Sequence, residues 1–236
     1  MTGNQGSEMT AGGEQNKVRP DRAALIQRTE EFVRGKLESE ATGHDWWHVH
    51  RVRNNALMIA RGEQVDTFIV ELAALLHDIA DWKFHGGDLS AGPRAAREWL
   101  ESLGIEEEVI AHVCDIIAGV SFKGAGVETK MRTAEGRVVQ DGDRLDAIGA
   151  IGIGRTFAYG GHSGRPMHDP EVRPVMHATF EQYKSSNGPT INHFFEKLLL
   201  IKDRLNTQTA RKLAEERHAF MEQFLERFFA EWEGSA

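Results

Sequence analysis

The sequence predicts an all-α protein, and two observations predict this class. Apolar residues recur every three or four positions in one segment after another, which is the spacing of the buried face of a helix. No segment alternates convincingly with the period of two that is typical of a half-buried strand. The 236 residues suffice for one large domain or two small ones. Because no internal repeat divides them, we predict a single domain.

The composition argues against several function classes. The net charge of −8 is unfavourable for a general nucleic-acid-binding protein, so no nucleic-acid partner is expected. The single cysteine, Cys114, cannot form an internal disulfide and is predicted to be a buried thiol in a reducing compartment. We find no signal peptide and no apolar run long enough to span a membrane, and we therefore expect a cytoplasmic protein without a membrane partner.

The predicted domain covers residues 20–236. Residues 1–19 are rich in Gly, Ser, Gln and Asn and are predicted to be a disordered tail. Asp21 is the predicted N-cap of a first amphipathic helix. Asp45 is the predicted N-cap of a second helix, in which His48 continues the buried apolar stripe.

The central prediction concerns residues 68–82, a stretch that is almost uninterruptedly apolar. About 15 residues are too many for a typical strand and too few to span a bilayer, so we predict a helix that is buried on most sides. Its second half nevertheless contains His77, Asp78 and Asp81. On a helix, His77 and Asp81 lie one turn apart on the same face, with Asp78 beside them. Such charge is costly in a buried helix unless it is paired or binds a metal.

The remaining elements follow from helical spacing that is interrupted by caps and glycines. Residues 138–159 are predicted to form one helix, although each of its glycines weakens it by roughly 1 kcal/mol. Close packing against a neighbour is the expected benefit of these glycines. A loop rich in Gly and Pro follows over residues 161–189. The other predictions are a cap at Asp66 or Thr67 for the central helix, a short helix stopped by Gly104, a helix over 105–117, a short helix within 175–183, a helix capped by Thr190 and a last helix that opens at Thr207.

Three His-Asp dipeptides occur, but only His77-Asp78 lies inside an apolar helix, where a purely structural explanation is hard to supply. Metal binding would explain the pair, because imidazole and carboxylate ligands together suit Mn²⁺, Fe²⁺, Ni²⁺, Co²⁺ or Zn²⁺ better than Ca²⁺. Two adjacent ligands cannot complete a site, so others must come from elsewhere. His48 and Asp143 are the candidates, since each lies on a stripe that is predicted to face the core.

These motifs, in this order, resemble those of the HD-domain superfamily of metal-dependent phosphohydrolases. His48 stands in His-x-x-x-Val, His77 and Asp78 in Ala-Ala-Leu-Leu-His-Asp-Ile, and Asp143 in Gly-Asp-Arg-Leu-Asp. The resemblance runs from about His44 to the last helix. It implies an HD-domain-like helical bundle in which His48, His77, Asp78 and Asp143 bind one divalent metal, with Mg²⁺ as a further option.

The resemblance also implies that Asp81 is a catalytic carboxylate, which agrees with its predicted position one turn from His77. Asp81 would orient or deprotonate the attacking water, or protonate the leaving group. The motif selects Asp143 as the metal ligand over its competitors Asp141 and Asp146.

Two features of this chain bear on the comparison with the superfamily. Relatives often have Glu where Asp81 stands. Relatives with two metals carry extra histidines between the His-Asp pair and the final Asp. Only His85 and His112 are available here for that purpose, so one metal is predicted.

Phosphate recognition requires cationic side chains. Arginine is suited to bidentate phosphate contact and lysine to a point charge. The stretch from Asp141 to Phe157 and the later Glu196-Lys-Leu-Leu resemble a small bacterial subgroup of the superfamily. The candidates come from this resemblance or from proximity in the sequence. They are Arg144, Arg155, Lys123 and Lys197.

Members of that subgroup are described as nucleoside-triphosphate pyrophosphohydrolases. The resemblance therefore implies a nucleotide substrate and cleavage of a nucleoside triphosphate to the monophosphate and pyrophosphate. The alternatives are a 5′-nucleotidase or phosphodiesterase of the same fold, and a metal-dependent nucleotide-binding regulatory module without turnover. A homodimer is compatible with the long apolar C-terminal helix, although no residue specifies one.

Overall fold

The computed structural model describes residues 21–38, 45–80, 88–121, 126–127, 129–185 and 187–235. Within these ranges every regular element is helical, and the all-α prediction is confirmed. The α-helices are α1 (Arg22–Leu37), α2 (Trp46–Ala60), α3 (Thr67–Leu76), α4 (Ala91–Ser102), α5 (Glu107–Val120), α6 (Ala134–Asp146), α7 (Gly149–His162), α8 (Phe180–Ser185), α9 (Asn192–Glu196) and α10 (Gln208–Trp232). Short 3-10 turns at Leu198–Leu200 and Lys202–Arg204 precede α10.

Helix α3 lies at the centre of the bundle and packs against α1, α2, α5 and α6. Most of its side chains are buried, including the unbroken run from Leu72 to Leu76. Such all-round burial explains why this segment of the sequence lacks the polar face of a surface helix. Its C-terminal end therefore delivers the residues that follow it into the interior of the protein.

Helices α2 and α6 pack closely because Gly142 has no side chain. A Cβ at this position would lie 3.0 Å from the carbonyl oxygen of Val52 and 3.1 Å from the Cβ of Ala56. Asn55 Nδ2 also donates a hydrogen bond of 3.2 Å to the carbonyl of Gly142. This approach brings the first turns of α2, which contain His48, within reach of the carboxylates of α6.

We expect Gly142→Val to destabilise the protein by about 1–3 kcal/mol, because the added carbons would push α2 away from α6. Urea denaturation measures the effect. Gly154→Ala is the matched control, since a Cβ at exposed Gly154 of α7 meets no atom within 4 Å. That change should stabilise the protein by up to about 1 kcal/mol through helix propensity. Unaltered stability in Gly142→Val would contradict the close α2–α6 contact.

The predicted N-caps Asp21 and Asp45 are confirmed, and Thr207, where the last helix is predicted to open, is the N-cap of α10. Each side chain accepts a hydrogen bond from a backbone N–H in the first turn of its helix, which satisfies a donor that the helix leaves unpaired. Of the two candidates for the central helix, Asp66 is the cap and Thr67 is the first helical residue.

The central helix is shorter than the sequence predicts. Helix α3 ends at Leu76 and turns continue to residue 80, while residues 81–87 lie outside the described residues. His77 Nδ1 lies 2.8 Å from the carbonyl oxygen of Ala74. In a continued helix the N–H of Asp78 would pair with that oxygen, so the imidazole takes over the hydrogen bond at the helix end.

The prediction of one helix over residues 138–159 is wrong. The chain forms α6 and α7 instead, separated by Ala147 and Ile148. Gly149 has a φ of 76°, which glycine adopts without strain and other residues rarely adopt. Gly149 therefore allows the chain to turn and begin a separate helix, α7, instead of weakening a single continuous helix.

The chain between α7 and α10 also differs from the prediction. The helix expected after Thr190 begins at Asn192, has no side-chain cap and ends after five residues. The short helix expected within 175–183 is found at Phe180–Ser185.

Of the helices in the described part of the chain, none has both the length and the apolar character that crossing a membrane requires.

Candidate metal centre

Two imidazoles and two carboxylates meet where α2, the turn after α3, and α6 come together. His48 Nε2 lies 3.3 Å from His77 Nε2 and 3.3 Å from Asp78 Oδ2, and His77 Nε2 lies 3.4 Å from the same Asp78 oxygen. Asp143 Oδ1 lies 3.5 Å from His48 Nε2. The structure thus brings together the four residues that the sequence predicts as metal ligands.

The four residues do not form an equally tight group. Ligand atoms of His48, His77 and Asp78 all lie within 4.8 Å of one another, and Asp143 approaches this trio through His48. The side chain of His48 is 1% exposed, that of Asp78 13% and that of Asp143 28%. The two carboxylates are therefore more accessible than the imidazole of His48.

Each imidazole is held by a hydrogen bond at its Nδ1 atom. His48 Nδ1 lies 2.7 Å from Asp146 Oδ2, and His77 Nδ1 lies 2.8 Å from the Ala74 carbonyl oxygen. Both partners are acceptors, so both Nδ1 atoms carry the proton and donate. The two Nε2 atoms are then left with lone pairs that face the centre, as metal-binding histidines require.

This donor set fits a divalent cation. The two Nε2 lone pairs point at each other across 3.3 Å with a carboxylate oxygen beside them. A metal ion between these atoms, or a proton shared by the two nitrogens, relieves their mutual repulsion. Imidazole nitrogen and carboxylate oxygen are the ligands of divalent transition metals, and His48, His77 and Asp78 are the residues that could hold one.

The electrostatics of His77 lead to the same conclusion. Burial of the imidazole disfavours its charged form, but the charge of Asp78, a hydrogen bond to Asp78 and the charge of Asp143 outweigh burial. Together they raise the pKa of His77 to about 9. The carboxylates therefore create a position where positive charge is strongly favoured, whether a proton or a metal ion supplies it.

Asp146 is the hub that holds His48 in place. It is buried and accepts hydrogen bonds from Arg51 through Nε at 2.7 Å and Nη2 at 3.1 Å, and from Arg155 Nη1 at 2.8 Å. Burial opposes ionisation of Asp146, but the hydrogen bonds from His48 and Arg51 and the charge of Arg155 hold its pKa well below the usual range. Asp146 therefore stays ionised and fixes the orientation and tautomer of His48.

Two predicted site residues, the catalytic Asp81 and the phosphate ligand Lys123, lie outside the described residues. A third, Lys197, is half-buried directly after α9. A role of these three residues in catalysis or substrate binding stays a prediction.

The two predicted phosphate-binding arginines both have protein partners. Arg155 contacts Asp146, as described above. Arg144 is buried and donates hydrogen bonds to the carbonyl of Arg204 and, at 2.8 Å, to Thr129 Oγ1. A phosphate contact by either guanidinium must therefore use donors that these partners leave available, and it stays a prediction.

Asp141, a competitor for the ligand role, has a structural position. Its carboxylate accepts hydrogen bonds from the backbone N–H groups of Asn206 and Thr207, and from the Thr207 hydroxyl at 2.8 Å. It thereby joins α6 to the start of α10.

Sequence reasoning missed the supporting residues Asp146 and Arg51. A usable signal existed, because Asp146 follows Asp143 by three positions on α6 and Arg51 follows His48 by three on α2. Residues with this spacing share a helix face. Metal-binding histidines usually donate their second ring N–H to a carboxylate or a carbonyl, so a second acid on the same face was to be expected.

Comparison with known proteins identifies the family. Residues 46–148 match the model of the HD domain. The chain is 40% identical to the protein YpgQ of Bacillus subtilis (strain 168) over 195 residues, which cover 82% of this chain and 87% of YpgQ. The chain belongs to the HD-domain family. It is a metal-dependent phosphohydrolase. The HD domain implies a divalent metal, and His48, His77 and Asp78 form a group that could hold one.

Solved structures of HD-family proteins share the fold. An HD-superfamily hydrolase from Bacillus thuringiensis is 45% identical with a TM-score of 0.70, covering 90% of this chain and 99% of that protein. A protein from Lactobacillus plantarum is 36% identical with a TM-score of 0.79, covering 89% and 98%. YpgQ in complex with ADP superimposes with a TM-score of 0.69 at 36% identity, covering 89% of this chain and 100% of YpgQ.

Proposed function

We propose that this HD-domain protein hydrolyses nucleoside triphosphates to nucleoside monophosphates and pyrophosphate. The observation that carries the nucleotide part of the proposal is the ADP complex of YpgQ, a relative that matches most of this chain. The choice of the bond between the α- and β-phosphorus atoms is supported by the resemblance of the segment around Asp143 to the pyrophosphohydrolase subgroup.

In this reaction a water oxygen forms a bond to the α-phosphorus while the bond from that phosphorus to the α–β bridging oxygen breaks. Pyrophosphate leaves, and the proton of the attacking water must be accepted. We propose Asp81, four residues after His77, as the group that orients this water or takes its proton. The partly exposed Asp78 and Asp143 carboxylates mark the side from which the triphosphate approaches.

We propose that His48, His77, Asp78 and Asp143 hold the metal. A divalent ion bound there supplies Lewis-acid chemistry, since it withdraws charge from phosphate oxygens and makes water more acidic. The chain contributes preorganisation: Asp146 and the Ala74 carbonyl fix both imidazoles before the ion arrives. Mn²⁺, Ni²⁺, Co²⁺, Fe²⁺ and Zn²⁺ all accept these ligands, and Mn²⁺ is the first to test.

Product identification tests the proposed reaction. The purified protein is incubated with Mn²⁺ and a panel of nucleoside tri-, di- and monophosphates and a cyclic dinucleotide, and products are separated by ion-exchange chromatography. We expect monophosphate and pyrophosphate in equal amounts from triphosphates. Release of orthophosphate from monophosphates would instead establish a 5′-nucleotidase, and opening of the cyclic dinucleotide a phosphodiesterase.

A further inference from the structure

Asp146 connects the metal centre to a separate cavity. The cavity has a volume of about 330 Å³ and lies between α2, the start of α7, and α10. Asp146, Arg51 and Arg217 line it, whereas none of the four candidate metal ligands does. Its volume is at the lower end of the range of small-molecule sites, about 300–1,000 Å³.

The cavity carries an excess of positive charge. Arg51 and Arg155 both contact the carboxylate of Asp146, and Arg217 lines the same cavity. Arg155 itself is not among the residues that line the cavity, and Asp146 is the only acidic residue that does, so the guanidinium groups of Arg51 and Arg217 line it together with one carboxylate. In a protein with a net charge of −8, such a local excess of arginine indicates an anion.

The arginines are held rigidly and still have donors to offer. Arg217 Nη2 donates to Asn55 Oδ1 at 3.1 Å and Nη1 donates to the Leu145 carbonyl, which leaves Nε without a hydrogen bond among the described residues. Arg51 uses Nε and Nη2 on Asp146 and makes no hydrogen bond with Nη1 in the described part of the chain. A guanidinium that is fixed on one edge and has donors left on another binds an oxyanion with little loss of entropy.

The backbone adds to this arrangement. The stem of Arg217 lies against Gly149, where a Cβ would be 3.1 Å from Arg217 Cβ. The absence of a side chain at Gly149 thus places the guanidinium beside the first turn of α7. No side chain caps this turn, and Ala150 in it lines the cavity and is exposed. The first N–H groups of a helix have no partner within the helix and are suited to donating to an anion.

We propose that this cavity is a second, metal-independent binding site for a phosphoryl oxyanion, namely pyrophosphate or orthophosphate. The proposal stands whichever phosphate bond the metal centre cleaves. Because Arg51 contacts both the cavity and Asp146, an anion here also competes with the carboxylate that orients His48.

Isothermal titration of pyrophosphate into metal-free protein tests the proposal. We use metal-free wild type and Asp78→Ala, each alone and combined with Ala150→Asp or Ala150→Asn. Ala150→Asp places a carboxylate at the cavity mouth and is favourable at a helix start, so the fold is preserved. The asparagine variant matches it in size without charge.

Pyrophosphate should bind metal-free wild type and Asp78→Ala equally well. Ala150→Asp should weaken binding at least about tenfold, and Ala150→Asn less than about threefold. Orthophosphate in place of pyrophosphate distinguishes which anion is preferred. Binding that requires metal, or that Ala150→Asp leaves unchanged, would place the anion at the metal centre and overturn the proposal.

A variant on a different helix makes the test independent of α7. Asn54 of α2 is exposed and lines the same cavity, so Asn54→Asp should also weaken pyrophosphate binding about tenfold. Gln208→Glu adds the same charge at the exposed first residue of α10 and should leave binding unchanged. Equal effects of these two variants would show a response to net charge only and would contradict a site in the cavity.

Discussion

We expect Asp78→Ala to lower kcat at least about a thousandfold, which corresponds to about 4 kcal/mol of transition-state stabilisation. Asp78 provides the carboxylate oxygen that lies 3.3 Å from His48 Nε2 and 3.4 Å from His77 Nε2. Without it, two neutral imidazoles and the more distant Asp143 are left to hold a divalent ion. Activity with Mn²⁺ and metal content by mass spectrometry measure the effect.

Thermal unfolding with and without Mn²⁺ separates loss of the metal from loss of the fold. A ligand at a hundred times its Kd stabilises the native state by about 2.7 kcal/mol. Wild type should therefore melt at a higher temperature with Mn²⁺, and Asp78→Ala should not. Asp115→Ala is the matched control, because Asp115 is an exposed aspartate on α5 that is not one of the candidate ligands. Full activity in Asp78→Ala would eliminate the proposed centre.

The candidate ligands His48, His77 and Asp78 are predictable from the sequence because each is anomalous in its own segment. His77 and Asp78 directly follow an apolar run, and His48 continues an apolar stripe. Burial of ionisable groups is costly, so it requires a partner, and a shared metal is the simplest partner for all of them. Whether these side chains converge depends on how the helices pack. The sequence indicates this packing only because the order of its motifs resembles that of a known family.

The end of the central helix is not predictable from periodicity. The apolar pattern continues through Ile79 and Ala80, and a longer helix satisfies it equally well. The competing interaction is the hydrogen bond from the His77 side chain to the Ala74 carbonyl. Such a side-chain cap leaves no trace in hydrophobic spacing, although it decides which ring nitrogen of His77 faces the metal.

The break between α6 and α7 has a similar origin. Four glycines between Gly142 and Gly154 look alike in the sequence, yet they serve different purposes. Gly142 permits close packing of α6 on α2, Gly149 adopts a positive φ, and Gly154 is exposed without a near neighbour. Only the tertiary contacts distinguish these roles, since each glycine costs a helix about the same in intrinsic propensity.

Asp146→Asn should weaken the affinity for Mn²⁺ about 10–100-fold while it preserves most of kcat at saturating metal. The amide keeps the size of the side chain but removes the charge that Arg51, Arg155 and His48 share. Its oxygen can accept from at most two of these donors, and its NH₂ group, itself a donor, faces the rest. His48 then loses the constraint that presents Nε2 to the ion. Metal occupancy therefore falls, whereas kcat of the metal-bound protein changes little.

Titration of activity with Mn²⁺ gives the half-saturating Mn²⁺ concentration and kcat separately. If the role of Asp146 were purely structural, its loss would not raise the first while preserving the second. A general loss of folded protein lowers kcat and leaves half-saturation unchanged. Asp115→Asn, at an exposed position of α5, is the isosteric control and should match wild type in both quantities. Wild-type half-saturation in Asp146→Asn would mean that His48 is oriented by the packing of α2 alone. The carboxylate would then serve chiefly to neutralise Arg51 and Arg155, since two adjacent, partly buried guanidinium groups repel each other and favour an anion between them whether or not a metal is present.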